Sequence, residues 1–192
     1  NLFFFLRDGR TLMYPSKESV LVFDLETGDE SERPAPWFEK VSVSAAGKAI
    51  AISATRQGEL ILWNIDSGTL VARHQGHQDY TWAYNRSVCV VAINASATKA
   101  ASISIFGKVH VWDIDSSCGM RLRWVFDQDS LPRGATAAAL SDDGKQLLLG
   151  HHEGWLTLWD ISREGMPRKT HEFRAEVRNI SFVALSSDGT FA

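Results

Sequence analysis

The sequence has few of the features that mark a membrane-spanning, disulfide-rich or nucleic-acid-coating protein. It contains only two cysteines in 192 residues, and no apolar run approaches the roughly 18 residues that cross a bilayer. The formal net charge is −3, from 20 Lys and Arg against 23 Asp and Glu, whereas proteins that cover phosphate backbones carry an excess of basic residues. We therefore expect a soluble intracellular protein, cytoplasmic or nuclear, with reduced cysteines.

Catalytic and metal-binding signatures are also scarce. The sequence contains no nucleophile elbow and no phosphate-binding glycine loop. The best metal-like cluster is His151, His152 and Glu153, but neighbouring residues of a strand point to opposite faces, and the sequence supplies no third ligand for the histidine pair. We predict no catalytic residues, no metal site and no cofactor, and hence a protein that is not an enzyme.

What the sequence has instead is a fourfold repeat. Four apolar segments end in an aromatic residue followed by an acid or amide: Phe23-Asp24, Trp63-Asn64, Trp112-Asp113 and Trp159-Asp160. Each aromatic residue lies 14 to 16 positions after a turn-like stretch. Gly58, Gly107 and Gly154 precede the three tryptophans by five residues, where a hairpin needs a residue that tolerates positive φ. One unit therefore reads as four short strands, and we find no convincing helix.

These repeats resemble the WD-repeat family, whose units of roughly 40 to 45 residues each supply a four-stranded blade to a β-propeller. The resemblance implies an all-β partial propeller of antiparallel blades, with about four repeats and the first strand of a fifth. It also implies a hydrogen-bonded set inside a blade, to which His77, Ser104 and Trp112 map. Phe106 stands where the family usually has the aspartate of that set, so packing must provide most of the rigidity.

The repeat boundaries divide the chain into approximate blades. These cover residues 1–36, 37–86, 87–134, 135–178 and 179–192, and residues 180–185 are predicted to form the first strand of the last one. The Pro-rich stretch 31–37 is predicted to link the first two blades. Because propellers of this family commonly close with about seven blades, we expect a part that needs the rest of its propeller and aggregates when it is produced alone.

The family places function in the loops at the ends of its blades. The most unusual loop follows His77, and its large side chains are Tyr80, Trp82, Tyr84 and Arg86. In an extended loop the three rings would share one side and form a partner-binding strip of residue types that are enriched in hot spots. In a folded loop they would cover the blade edge as a lid. Both interpretations remain open.

A second candidate site lies in the later connections between blades. Arg133, Arg174 and Arg178 would share a face and offer a basic patch to an acidic peptide or phosphate, with ordinary solvated charge as the alternative. We interpret the chain as a non-catalytic scaffold that binds partner proteins or peptides through its blade loops within a larger complex, with no membrane partner. Two other functions stay open: a regulatory or sensor propeller attached to a catalytic or nucleotide-driven domain, and a component of a ribonucleoprotein assembly, where nucleic acid would be a partner.

Overall fold

The computed structural model describes residues 4–5, 10–16, 19–35, 40–43, 50–55, 57–77, 88–126, 131, 134–162 and 164–186. These residues contain no helix, and therefore no helix that could span a membrane. They form sixteen strands, which are β1 (Phe4–Phe5), β2 (Thr11–Pro15), β3 (Ser19–Asp24), β4 (Glu30–Pro34), β5 (Lys40–Val43), β6 (Ile50–Ala54), β7 (Glu59–Asn64), β8 (Leu70–Gln75), β9 (Val88–Ile93), β10 (Lys99–Ser104), β11 (Val109–Ile114), β12 (Met120–Phe126), β13 (Ala135–Leu140), β14 (Gln146–His151), β15 (Trp155–Asp160) and β16 (Arg168–Arg174).

The strands pair with their chain neighbours into four antiparallel sheets. The sheets are β1–β4, β5–β8, β9–β12 and β13–β16, and we call them blades 1 to 4. The aromatic-ended segments of the repeat form the third strand of every blade: β3, β7, β11 and β15. Apolar side chains on both faces of these strands suit them to an interior position with a sheet on either side. The all-β architecture of four-stranded antiparallel blades that the sequence predicts is confirmed.

The hydrophobic core lies between successive blades. β9 contacts both β5 and β13, so the first strands of blades 2 to 4 lie side by side. Burying one large side chain contributes about 1.5–3 kcal/mol, which makes these contacts the main source of stability. Each repeat tryptophan lies in the cluster that joins its own blade to the preceding one: Trp63 with Val22, Trp112 with Leu62, and Trp159 with Val111.

The hairpins between second and third strands depend on glycine, as the sequence predicts. The φ angles are 79° at Gly58, 76° at Gly107 and 79° at Gly154, in the left-handed region that other residues rarely adopt. Space is also limiting at two of them. A Cβ on Gly107 would lie 2.3 Å from the Cα of Gly134, and one on Gly154 would lie 2.3 Å from the carbonyl oxygen of Ala175.

These hairpins define one end of the blades, which we call the connection end because the chain passes there from one blade to the next. The carbonyl of Gly58 accepts the N–H of Gly76 at 2.9 Å, and the carbonyl of Gly154 accepts the N–H of Ala175 at 2.8 Å. The opposite end, the turn end, holds the other turns of each blade. There the N–H of Ile161 donates to the carbonyl of Lys145 at 2.7 Å.

Two segments differ from the sequence prediction. Residues 31–37 were expected to link blades 1 and 2, but residues 31–34 belong to β4, which pairs with β3. Pro34 is tolerated because it lies at the end of an outer strand, where its missing N–H breaks no ladder. Residues 180–185 form no strand. Within the described part of the chain this region has one isolated bridge, between His152 and Asn179, and a strand requires a continuous ladder.

Candidate functional site

The connection end is the candidate site, because the loops with the most unusual composition lie there. The aromatic loop begins after His77 and ends before Val88, and both of these residues are buried, at 2% exposed each. Tyr80, Trp82, Tyr84 and Arg86 lie outside the described residues, as does Arg133. Their role in partner binding therefore stays a prediction. The structure describes the two residues that flank the aromatic loop, His77 and Val88.

A buried hydrogen-bonded set holds the start of that loop. The Nε2 atom of His77 lies 2.9 Å from Oγ of Ser102, and Nε1 of Trp112 donates to the same oxygen at 3.0 Å. The position of Ser104 in the sequence predicts that it supplies this hydroxyl, and that prediction is wrong. Ser104 faces the same side of β10, but its hydroxyl accepts the N–H of Lys108 at 3.2 Å, within the hairpin.

A second histidine, His110, packs against this set. The ring of His110 stacks on that of His77, with centroids 3.8 Å apart and an interplanar angle of 16°. His110 lies on β11 and is 4% exposed. Phe106 cannot provide a carboxylate at the hairpin, so an aromatic stack occupies the space beside His77 and fixes the residue that precedes the aromatic loop.

Blade 4 contains a related set that the sequence did not reveal. The Oγ1 atom of Thr157 accepts a hydrogen bond from Nε1 of Trp159 at 2.9 Å, and Nε2 of His151 lies 2.7 Å from the same oxygen. His151 is fully buried, while the neighbouring His152 is exposed and its Nδ1 lies 2.9 Å from Oδ1 of Asn179. The opposite orientations predicted for the two histidines are confirmed. Among the described residues no three His, Cys, Asp or Glu side chains are grouped to hold a metal ion.

Arg174 and Arg178 lie together at the connection end of blade 4. Both line an open depression of about 580 Å³, which Glu153 and Glu176 also line. The guanidinium of Arg174 lies 5.4 Å from the centre of the Trp155 ring, and the carbonyl of Arg178 accepts the N–H of Glu153 at 2.5 Å. The described part of the predicted basic patch, around Arg174 and Arg178, therefore contains carboxylates as well as guanidinium groups.

The acids and amide after the repeat aromatics have a structural role at the turn end. Oδ1 of Asn64 accepts the N–H of Ser67, and Oδ1 of Asp160 accepts the N–H of Ser162, both at 2.9 Å. A hydrogen bond from the Arg10 side chain holds the pKa of Asp24 well below its usual value. The contacts of Asn64 and Asp160, with those that Asp24 accepts from the N–H groups of Glu26 and Thr27, close the turns between the third and fourth strands of blades 1, 2 and 4.

Asp113 makes ion pairs in place of a turn contact. Its carboxylate lies 2.6 Å from Nζ of Lys99 and 3.3 Å from Nη2 of Arg121. Burial raises the pKa of Asp113, but the hydrogen bond and charge of Lys99 outweigh it, so the pKa lies below its usual value. The turn itself is closed by Asp115, which accepts the N–H groups of Ser117 and Gly119.

No family model matches the chain, but several characterised proteins resemble it. A periodic tryptophan protein 2 homologue of Schizosaccharomyces pombe is 24% identical over 124 residues, which is 65% of this chain and 13% of that protein. The WD repeat-containing protein SL1-17 of Schistosoma mansoni is 26% identical over 145 residues, 74% of this chain and 43% of that protein. Autophagy-related protein 16 of Arabidopsis thaliana is 24% identical over 143 residues, 72% of this chain and 24% of that protein.

Among solved structures, the chain resembles the β-propeller domain of Cps50 (Swd1) from Myceliophteria thermophila. The TM-score is 0.71 at 18% sequence identity, and the match covers 97% of this chain and 59% of that one. The chain thus spans less than half the length of the three relatives named above and about three fifths of the solved propeller.

Proposed function

We propose that this chain is a WD-repeat β-propeller that acts as an interaction scaffold and binds partner proteins or peptides through the connection end of its blades. Proteins of the WD-repeat family are generally non-catalytic, and one relative that resembles the chain is named as a WD repeat-containing protein. The observation that carries the proposal is the construction of the connection end, where ordered hairpins hold loops of unusual composition.

The hairpins give the binding loops a rigid base. At Gly58, Gly107 and Gly154 the hairpin carbonyl accepts an N–H of the connecting chain at 2.8 to 3.1 Å. His77, which directly precedes the aromatic loop, is buried and bonded to Ser102. A loop whose ends are already fixed loses less conformational entropy when a partner binds, so more of the contact energy appears as affinity.

The aromatic loop and the arginine depression supply the binding residues in this proposal. Tyr80, Trp82 and Tyr84 with Arg86 are of the types that dominate binding energy at protein interfaces. At the connection end of blade 4, Arg174 and Arg178 line a depression together with Val177, which is 51% exposed. Because Glu153 and Glu176 line the same depression, we propose that it binds polar side chains of a partner peptide and not an isolated phosphate.

The test uses the full-length protein in cells and then purified components. The double substitution Trp82→Ala with Tyr84→Ala removes two rings of the aromatic loop, and we expect loss of the partners that co-purify with the wild type. Calorimetric titration of each recovered partner should then show binding weakened by about 2 kcal/mol or more, since truncating a hot-spot residue typically costs that much.

The matched control is Leu25→Ala with Met166→Ala. These side chains are 52% and 91% exposed and lie in turns of the turn end, so the pair also removes two large apolar groups from the surface. We expect its partner set and affinities to equal those of the wild type. Unchanged affinity in the aromatic-loop variant, or equal losses in both variants, would overturn the assignment of the connection end.

A further inference from the structure

The outer strands of three successive blades have a net positive charge, although the chain as a whole is acidic. Together β8, β12 and β16 contain six Lys or Arg residues and one Glu, a net charge of +5. The whole chain has a net charge of −3, so all the other residues together carry −8. The outer strand of blade 1 does not share this feature, since β4 has Glu30 and Glu32 against Arg33. We call the surface of β8, β12 and β16 the basic rim; its cations are Arg73, Arg121, Arg123, Arg168, Lys169 and Arg174.

Acidic neighbours neutralise the basic rim only in part. Arg73 lies 3.7 Å from Glu59, and Lys169 pairs with Glu172 on its own strand. Arg121 reaches Asp113 at 3.3 Å, yet 73% of its side chain is exposed. Ion pairs as exposed as these contribute about 0–1 kcal/mol each, so an incoming carboxylate can compete for the cations at little cost.

A side-chain contact joins two strands of the basic rim. Nη2 of Arg123, on β12, donates to the carbonyl of Glu164 at 3.1 Å. Glu164 belongs to the turn that leads into β16, where Arg168 follows after four residues. The outer strand of blade 3 therefore contacts the turn that leads into the outer strand of blade 4, so an extended segment bound along one strand can reach the other.

Exposed apolar side chains lie on the same three strands as the cations. Half of the large hydrophobic residues that are exposed in the described part of the chain lie on these three strands, with exposed fractions of 37–52%: Leu70, Val71, Leu122, Val125 and Phe173. Exposed aliphatic groups beside arginine are typical of a protein-binding surface. A nucleic acid backbone would use the charges but gain nothing from Leu122 or Val125.

Bulges make these strands poor sites for adding a further strand. In each of the three blades the register shifts opposite the repeat tryptophan, and the extra residue is Val71, Arg123 or Thr170. A bulge interrupts the row of backbone groups that an added strand would need. Recognition at the basic rim must therefore use side chains.

We propose that the basic rim is a docking surface for an extended acidic protein segment that carries aliphatic side chains between its carboxylates. Charge complementarity selects the acidic residues of the partner, and the exposed apolar groups of β8, β12 and β16 select its aliphatic ones. Arg174, at the end of β16, also lines the depression at the connection end, so it is shared by the two proposed sites. Arg121 and Arg168 lie at the opposite ends of their strands, where they pair with Asp113 and Asp160, and substitutions there test the basic rim separately from partner binding at the connection end.

The experiment measures binding of a short fluorescein-labelled peptide in which glutamate alternates with leucine and serine to the full-length protein, by fluorescence anisotropy. We expect binding that weakens as salt is raised, because exposed charges are screened. Arg121→Gln with Arg168→Gln should weaken binding about tenfold at low salt, the effect of losing two exposed charge contacts. A peptide with serine in place of every leucine should also bind more weakly.

The control variant Arg33→Gln with Lys145→Gln removes the same charge from positions outside the basic rim, and we expect it to bind the peptide as the wild type does. Equal weakening in both variants would mean that net charge alone attracts the peptide, which overturns the proposal. So would equal affinity for the leucine-free peptide, no measurable binding, or tighter binding of single-stranded RNA or anionic lipid vesicles at the same sites. Matching far-ultraviolet circular dichroism of all proteins shows that the exposed substitutions leave the fold intact.

Discussion

At the scale of single residues, a buried hydroxyl determines how two of the repeat tryptophans are held. Ser102 and Thr157 are both fully buried, and each accepts the indole N–H of a tryptophan while it bonds a histidine. The two hydroxyls come from different strands, β10 for Ser102 and β15 for Thr157. A buried indole N–H needs an acceptor, and blades 3 and 4 provide it with hydroxyls from different strands.

Replacing Ser102 tests whether this hydroxyl stabilises the blade. Ser102→Ala leaves Nε1 of Trp112 and Nε2 of His77 without their acceptor or donor in a dry site. We expect the free energy of unfolding to fall by about 1–3 kcal/mol, the cost of burying unsatisfied polar groups. Urea unfolding of the full-length protein, followed by tryptophan fluorescence, measures the change.

Ser104→Ala is the matched control, because Ser104 is equally buried and lies two residues away on the same strand. Its hydroxyl accepts the N–H of Lys108 at 3.2 Å and bonds neither the indole nor the histidine of the set. We expect a loss of about 1 kcal/mol or less. A larger loss for Ser104→Ala than for Ser102→Ala would restore the assignment that the sequence suggested.

At the scale of elements, glycine is needed in the hairpins for two reasons: the backbone has a positive φ, and a Cβ would have no space. Comparison of Gly28 with Gly107 measures the two contributions separately. Gly28 and Gly107 have φ angles of 75° and 76°, but a Cβ on Gly28 would meet no atom within 4 Å. Gly28→Ala should therefore cost about 1–2 kcal/mol, for the left-handed backbone alone. Gly107→Ala should cost a further 1–3 kcal/mol or so, because its Cβ would overlap the backbone of Gly134.

Thermal unfolding of the two glycine variants in the same buffer gives the comparison. Similar losses of stability would show that the chain at Gly134 moves aside without cost. That result would also weaken the view of the connection end as a rigid base, because the contact at Gly107 is part of it.

The strands and hairpins could be predicted because their physical causes are local. Alternation of apolar residues and the fixed offset of Gly58, Gly107 and Gly154 from the tryptophans follow from strand and hairpin geometry. The outer strand β4 was missed because its polar, proline-containing sequence resembles a linker. An outer strand buries little, so it needs no apolar pattern, and Glu30–Pro34 is mostly exposed.

The identity of the buried hydroxyl and the positions of the bulges in the outer strands depend on how neighbouring strands are aligned. That alignment cannot be read from the sequence. Ser102 and Ser104 lie on the same face of β10, so strand periodicity alone cannot choose between them. The choice follows from the pairing of β10 with β11, which places Ser102 opposite His110. The basic rim was missed for a related reason, because its cations lie on three strands that are far apart in the sequence.

At the scale of the whole molecule, stability comes from blade-on-blade packing, so each blade depends on its neighbours. Leu147 and Leu149 of blade 4 are fully buried in the cluster shared with blade 3. The segment that follows blade 4 exposes a large apolar group, since Phe182 is 79% exposed. The match to the solved propeller covers 59% of that molecule, so that propeller contains additional structure, of the kind that could cover such a group.

We expect residues 1–192, when they are produced by themselves, to bind a hydrophobic dye strongly and to aggregate, because an apolar surface of this kind is a liability in water. Phe182→Ser should lower the dye fluorescence and raise the soluble fraction. Leu25→Ser, which changes a side chain that is 52% exposed in blade 1, should have little effect. A clean monomer with a sharp two-state melt and weak dye binding would contradict this expectation and would show that four blades bury enough surface to be stable without further blades.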